Sequence, residues 1–294
     1  MLKSSHEQNR LSWNAITPIH NRHKGDQAAF FRAGGSVLHA EEIELVGDLS
    51  GRRVAHLQCN CGQDTLGLAA LGGDLLGVDI SDAAIEFAQT LSQESGIPAR
   101  FLRSDVYDWL ATTDERFDVA FASYGALPWL SNLDAYFEGV ARILKPGGFY
   151  AVVEFHPALL LFDTGWKLVY PYSTHGKPWI NDDGIGDYVV ASGDGLTPGG
   201  AGAGGFDAGR SEPFRNPHVA HEFIWGLGEV MSAVLKAELR IELFDEQYYS
   251  NGWKPFEPMR ELPNRRWTVP EGTPEVPMMY RLRAVRPIEG CRLP

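Results

Sequence analysis

From Arg53 to Phe155, short apolar runs alternate with segments of helical spacing, and this rhythm restricts the fold more than any other feature of the chain. The runs are Arg53–Gln58 (RVAHLQ), Leu75–Asp79 (LLGVD), Arg100–Ser104 (RFLRS), Phe117–Ser123 (FDVAFAS) and Phe149–Phe155 (FYAVVEF). FDVAFAS is almost continuously apolar, as a strand covered on both faces must be. Between the runs, the turn Asn60–Gly67 enters a helix bearing Leu66, Leu68, Ala69 and Leu71 that Gly72-Gly73 stops. Ala83–Leu91 places Ile85, Ala88 and Leu91 on one helical face, and Leu133–Leu144 ends at Lys145-Pro146-Gly147-Gly148. Strands alternating with helices need right-handed crossovers and predict a doubly wound, Rossmann-like α/β sheet. A helix over Ser36–Asp48 precedes this unit and one over Phe223–Ala237 follows it. Leu239–Phe244 and Met278–Arg283 read as two late strands, which bring the sheet to seven, mostly parallel with an antiparallel edge strand.

The organisation predicted is a polar N-terminal lid segment at 1–35, a ligand-binding core at 36–156, a capping insertion at 157–222 and a return to the core sheet at 223–294. The insertion breaks the rhythm. Its Ser192–Gly209 stretch contains GDGLTPGGAGAGG, too glycine-rich to offset the entropy of ordering, and predicts a mobile loop. Trp166, Tyr170, Tyr172, Trp179 and Tyr188 surround it, too thin an apolar set for a separate core.

With 26 Lys and Arg against 38 Asp and Glu, the net charge of −12 repels phosphate backbones and argues against a nucleic-acid partner. Three cysteines do not make a disulfide framework, and Cys59-x-Cys61 has no matching Cys/His pair for zinc. His218 and His221, three apart beside Glu222, form a pair with no evident third ligand, so no metal is expected. Reduced thiols, no apolar leader and no run of membrane-spanning length predict a cytoplasmic protein with no membrane partner, as a monomer or homo-oligomer.

Ligands of open α/β sheets bind at the carboxyl ends of the strands. Four segments sit there. The first is Gln58-Cys59-Asn60-Cys61-Gly62-Gln63-Asp64-Thr65, where Gly62 lets backbone approach a ligand. It is neither the three-glycine dinucleotide fingerprint nor a phosphate loop, which disfavours a nicotinamide-dependent oxidoreductase. The second is Asp79, 21 positions past Gln58 and suited to accept hydrogen bonds from a ribose diol. The third is Ser104-Asp105-Val106, and the fourth Ser123-Tyr124-Gly125-Ala126-Leu127-Pro128-Trp129. Asp118 opens its strand rather than ending it and reads as structural.

In this order the segments resemble the motifs of class I S-adenosylmethionine-dependent methyltransferases, over about residues 45–155 and more loosely through the late strands. LQCNCGQDT is similar to a first motif usually written E/D-x-G-x-G-x-G. Gln58 stands in the acidic position, and Asn60 and Asp64 replace two glycines, as in a bacterial subgroup acting mostly on small molecules. The resemblance implies S-adenosylmethionine as cofactor. Gln58, Asn60 and Gly62 would then line its methionine part, with Asp64 and Thr65 behind. Asp79 and Ile80 would hold ribose and adenine, Ser104, Asp105 and Val106 would flank the adenine, and Ser123 and Tyr124 would close on the sulfonium. A lid carrying Trp13 and His20 would exclude water. His156 and Glu154, ending the fifth strand, and His20 are candidate bases. The implied activity is methyl transfer to a small, partly apolar acceptor at oxygen, nitrogen or carbon, in secondary metabolism; the alternative is an inactive cofactor-binding scaffold or regulatory subunit.

Overall fold

The computed structural model describes residues 2–163, 165–189, 196, 214–256 and 258–288. Its central sheet uses β1 (Arg53–Leu57), β2 (Asp74–Asp79), β3 (Arg100–Arg103), β4 (Phe117–Ser123) and β5 (Leu144–Phe155). The capping hairpin is β6 (Trp179–Asn181) with β7 (Ala220–Glu222), and β8 (Arg240–Gln247) returns to the main sheet. A small sheet between β8 and the last strand joins β9 (Ser250–Asn251), β10 (Arg260–Leu262) and β11 (Arg266–Thr268). The last strand is β12 (Met279–Val285).

The seven-stranded order is β3-β2-β1-β4-β5-β12-β8. β1 to β5 are parallel, and β12 runs antiparallel to both β5 and β8, so the antiparallel element lies one place inside the edge that β8 forms. The order reverses at β1, with β2 on one side and β4 on the other. This is the switch point at which open α/β sheets leave a crevice for ligands.

Helices cover both faces. On one lie α6 (Val106–Thr112), α7 (Leu133–Ile143) and α8 (Leu227–Lys236), packed on Leu57, Val78, Ala120 and Val152. On the other lie α3 (Ala40–Val46) and α4 (Gln63–Ala70), packed on Val54, Leu75, Phe121 and Val153. α5 (Asp82–Ser95) joins that face, capped by Ser81 Oγ at its start and by left-handed Gly96 at its end. Asp118 is structural, accepting the Arg53 amide at 2.9 Å and Lys145 Nζ at 2.8 Å.

The N-terminal segment differs most from the reading of polar sequence. It forms α1 (Lys3–Arg22), a helix of 20 residues, followed by α2 (Gln27–Arg32). The buried stripe of α1 has helical spacing, yet it is polar apart from Ile16: Ser5, His6, Asn9, Ser12, Thr17, His20 and Asn21. A periodicity search for apolar residues has nothing to find in such a helix. The Ser192–Gly209 loop, apart from Leu196, lies outside the described residues.

Candidate functional site

The site is assembled at the carboxyl ends of β1, β2, β4 and β5. Leaving β1, the backbone takes left-handed φ angles at Gln58 (56°), Asn60 (46°) and Gly62 (77°). Such angles cost a side-chain-bearing residue roughly 1–2 kcal/mol, least for Asn, whose side chain can bond locally. Asn60 does so, its Oδ1 accepting the Cys61 amide at 2.7 Å. That explains why Asn serves where the resembling motif carries glycine. Gly62 is required for a different reason than ligand approach. A Cβ there would sit 2.7 Å from the Phe101 ring and 2.9 Å from Ala88 Cβ, so the glycine lets the turn seat against α5 and β3.

Asp79 ties the loop to β2. Its Oδ2 accepts the Asn60 amide and its Oδ1 the Ser81 amide, both at 2.8 Å. Burial raises its pKa, and the hydrogen bonds from the Ser81 and Asn60 amides work against that rise. Gln58 Nε2 donates to Ala126 O at 2.8 Å, while its Oε1 is buried without a hydrogen-bond partner among the described residues. A buried acceptor left unmade costs about 1–3 kcal/mol.

A cavity of about 510 Å³ opens above these groups. Of the residues proposed from sequence, Trp13, His20, Gln58, Asn60, Asp64, Asp79, Ile80, Asp105, Val106, Ser123 and Tyr124 line it. Ser123 Oγ donates to Asp64 Oδ2 at 2.8 Å. Burial raises the Asp64 pKa, opposed by that bond and by the charge of Lys24. Asp105 is already occupied: Oδ1 accepts the Tyr107 amide at 2.9 Å, and Oδ2 meets His6 Nδ1 and Lys3 Nζ, each at 2.8 Å. Burial would raise its pKa, but His6 and Lys3 hold it down at about 2. His6 also reaches Ser131 Oγ at 2.7 Å and stacks on Tyr107, so α1 is clasped over the end of β3.

Five proposed residues stand outside the cavity lining. Gly62 acts through packing. Thr65 Oγ1 bonds His56 Nδ1 at 2.8 Å behind the loop, and Ser104 donates its amide to Asp79 O. Glu154 and His156 require correction as candidate bases. Side chains alternate along β5, and Phe155 is the one that faces the cavity. Glu154 points to the opposite face, where its carboxylate accepts the amides of Gly125 (2.5 Å), Leu127 (2.9 Å) and Phe155 (2.7 Å) and so shapes the loop after β4. His156 bonds Glu246 Oε1 through Nε2 at 2.8 Å and the Ala158 amide through Nδ1 at 2.9 Å, leaving no free nitrogen. His20 does line the cavity, bonded to Gly186 O at 3.1 Å. Burial, aided by Lys24, lowers its pKa to about 3, a weak base.

Several lining residues had no sequence signal: His6, Lys24, His39, Glu42, Asn251 and Trp253. They come from α1, from α3 and its cap, from the loop after α1 and from the far end of the chain, and only tertiary structure brings them to one cavity. Tyr188 and Ile185 arrive from the insertion and, with Trp13 and Trp129, make the apolar wall. Trp166 instead packs against Phe162 and Phe256, and Tyr170 against exposed Trp179. Among the described residues no group of three or more His, Cys, Asp or Glu could hold a metal ion, and no helix is long and apolar enough to cross a membrane.

Residues 54–148 match a protein family described as "Methyltransferase domain". An uncharacterized methyltransferase of Synechocystis is 27% identical over 46% of this chain and 69% of its own length. A ubiquinone biosynthesis O-methyltransferase of Chelativorans is 26% identical over 50% of this chain and 58% of its own. The chain thus spans about half to two thirds of the length of these relatives. The fold is shared with a solved structure described as a putative S-adenosylmethionine dependent methyltransferase from Listeria monocytogenes. That match has a TM-score of 0.53 at 16% identity and covers 82% of this chain and 94% of the other. A second solved methyltransferase, from Clostridium acetobutylicum, matches with a TM-score of 0.51 at 12% identity over 92% and 96%.

Proposed function

We propose that this chain, whose residues 54–148 match a methyltransferase domain, is a class I S-adenosylmethionine-dependent enzyme that transfers a methyl group to a small, partly apolar organic acceptor. The observation that carries this reading is the pairing of two groups over one cavity: the Asp79 carboxylate at the end of β2 and the unpartnered Gln58 Oε1 at the end of β1.

S-adenosylmethionine supplies a methyl group already activated on a sulfonium sulfur, so the protein's task is to hold, align and exclude water. Asp79 keeps lone pairs beyond its two amide bonds and accepts the ribose hydroxyls. Gln58 Oε1 receives the amine of the methionine part, replacing the usual acidic side chain with a neutral acceptor. Lys24, which lines the cavity near Asp64, faces the carboxylate of that part. Ile80 and Val106 give the adenine apolar contacts beside Asp105, and Ser123 and Tyr124 border the sulfur. Thr65 and Ser104 support these groups from behind.

The lid is α1, with Trp13 and His20 turned into the cavity and its far end clasped by His6 to Asp105 and Ser131. The insertion completes the enclosure through Ile185 and Tyr188. A cavity of this size and lining suits small ligands. The negative charge and the enclosed site favour a free small molecule over nucleic acid, a setting that fits secondary metabolism in the cytoplasm.

Calorimetry with S-adenosylhomocysteine tests the reading, with saturable one-to-one binding expected. Absence of heat at millimolar ligand would end it. Incubation with labelled cofactor and fractionated metabolite extracts then identifies acceptors as products one methylene heavier.

A further inference from the structure

Glu42 is a polar group in the cavity that these roles leave unused. It lies in the first turn of α3, fully buried, and lines the cavity. Its Oε2 accepts the His39 amide at 2.5 Å. Its Oε1 is buried with no hydrogen-bond partner among the described residues, an arrangement a ligand donor would relieve. The groups around it offer no counter-charge. Asp64 on α4 and Glu41 on α3 are like charges, and the Tyr124 hydroxyl, the neighbouring donor, offsets the rise in the carboxyl's pKa only in part. Glu41 takes up the nearby donors itself, bonding Tyr249, Asn251 and Arg266.

Glu42 stands at the sulfur end of the cofactor groups, next to Asp64 and Tyr124. It is beside Tyr124, whose hydroxyl accepts from Asn251 Nδ2 at 2.9 Å and whose ring lies 5.7 Å from Phe155. Phe155 in turn lies 4.5 Å from Trp253. These three rings line the cavity beyond the ends of β4 and β5. The cofactor's amine already has its acceptor in Gln58 at the end of β1.

We propose that Glu42 is the acceptor-side general base and that the acceptor is an aromatic compound whose attacking oxygen or nitrogen carries a proton. The inference rests on the cavity being a methyl-transfer site. In the step, a lone pair of the acceptor heteroatom forms the bond to the methyl carbon while the carbon–sulfur bond breaks and leaves its electron pair on sulfur. The heteroatom's proton passes to Glu42 Oε1 and then to solvent. Burial, reinforced by Asp64, pushes the carboxyl's pKa well above the ordinary range, which makes its ionised form a stronger proton acceptor.

Glu42→Gln keeps the side chain's size and an oxygen for the His39 amide while removing the base. Binding of S-adenosylhomocysteine to this variant is expected within threefold of wild type. With that ligand bound, wild-type protein is titrated with 4-methylphenol and with benzylamine, an O–H and an N–H probe. Saturable binding of at least one is expected, weakened tenfold or more by Glu42→Gln, and the probe affected tells oxygen from nitrogen. Tenfold weaker S-adenosylhomocysteine binding in the variant would place Glu42 on the cofactor and overturn the proposal. So would probes that bind equally to both proteins, or bind to neither. Wild-type protein that fails to bind S-adenosylhomocysteine would instead remove the reading of the site itself.

Discussion

Replacing Asp79 by Ala removes the group on which cofactor recognition is argued to turn, and the structure sets the size of the effect. The carboxylate is 8% exposed, so most of its desolvation has occurred before any ligand arrives. Its two amide bonds leave it lone pairs for a diol. Hydrogen bonds to a charged group are worth about 1.5–3 kcal/mol each. Losing two, with partial replacement by water, weakens binding by about 2–4 kcal/mol, roughly 30-fold to 1,000-fold. Stability moves less. The Asn60 and Ser81 amides lose their acceptor, at about 1–3 kcal/mol each when left unmade, but a costly buried charge also disappears. Because the folded pKa of Asp79 is raised, the native state binds its proton more tightly than the unfolded chain does. That carboxyl's contribution to stability therefore declines as pH rises from its ordinary value of 3.8 through the raised one. The assay is calorimetry with S-adenosylhomocysteine beside thermal melts of both proteins. Affinity within twofold of wild type, in a variant that still melts cooperatively, would refute the role given to the carboxylate.

Gly62→Ala is expected to cost about 2–4 kcal/mol, from a left-handed φ of 77° and a Cβ driven into Phe101 and Ala88, read as a lowered Tm; an unchanged Tm would contradict it. His6→Ala should release α1, seen as faster amide exchange across residues 3–22 than elsewhere in the chain. Asp105, held at about 2, stabilises the fold above its ordinary pKa of 3.8, and that contribution is lost as pH falls through about 2; the His6→Ala protein should lose it at higher pH in an acid titration followed by circular dichroism. His156→Ala should leave S-adenosylhomocysteine affinity within threefold of wild type, since both ring nitrogens are engaged outside the cavity.

What was legible in the sequence followed from local pattern. Continuous apolar runs marked β1, β2, β4 and β5, and strand ends marked Gln58, Asp79, Asp105 and Ser123, because a parallel sheet places its crevice at those ends. The same logic failed at β5. Being near a strand end does not say which face a side chain takes, and the two-residue alternation sends Glu154 and His156 away from the cavity while Phe155 enters it. At Gly62 the demand comes from Phe101, about 40 residues on, a contact the local sequence does not show. α1 was illegible because its buried stripe is polar apart from Ile16. Glu42 was illegible because its value lies in a buried Oε1 with no geometric hydrogen-bond partner among the described residues, and only the packed neighbours reveal that.

The claim on which the rest depends is that Asp79 and Gln58 grip one cofactor from adjoining strands. A crystal structure of the protein with S-adenosylhomocysteine tests it most directly. Ribose hydroxyls within about 3 Å of the Asp79 carboxylate, with the amine of the same ligand on Gln58 Oε1, are the expected result. Ligand density elsewhere, or in the cavity with Asp79 bonded only to the amides of Asn60 and Ser81, would contradict it.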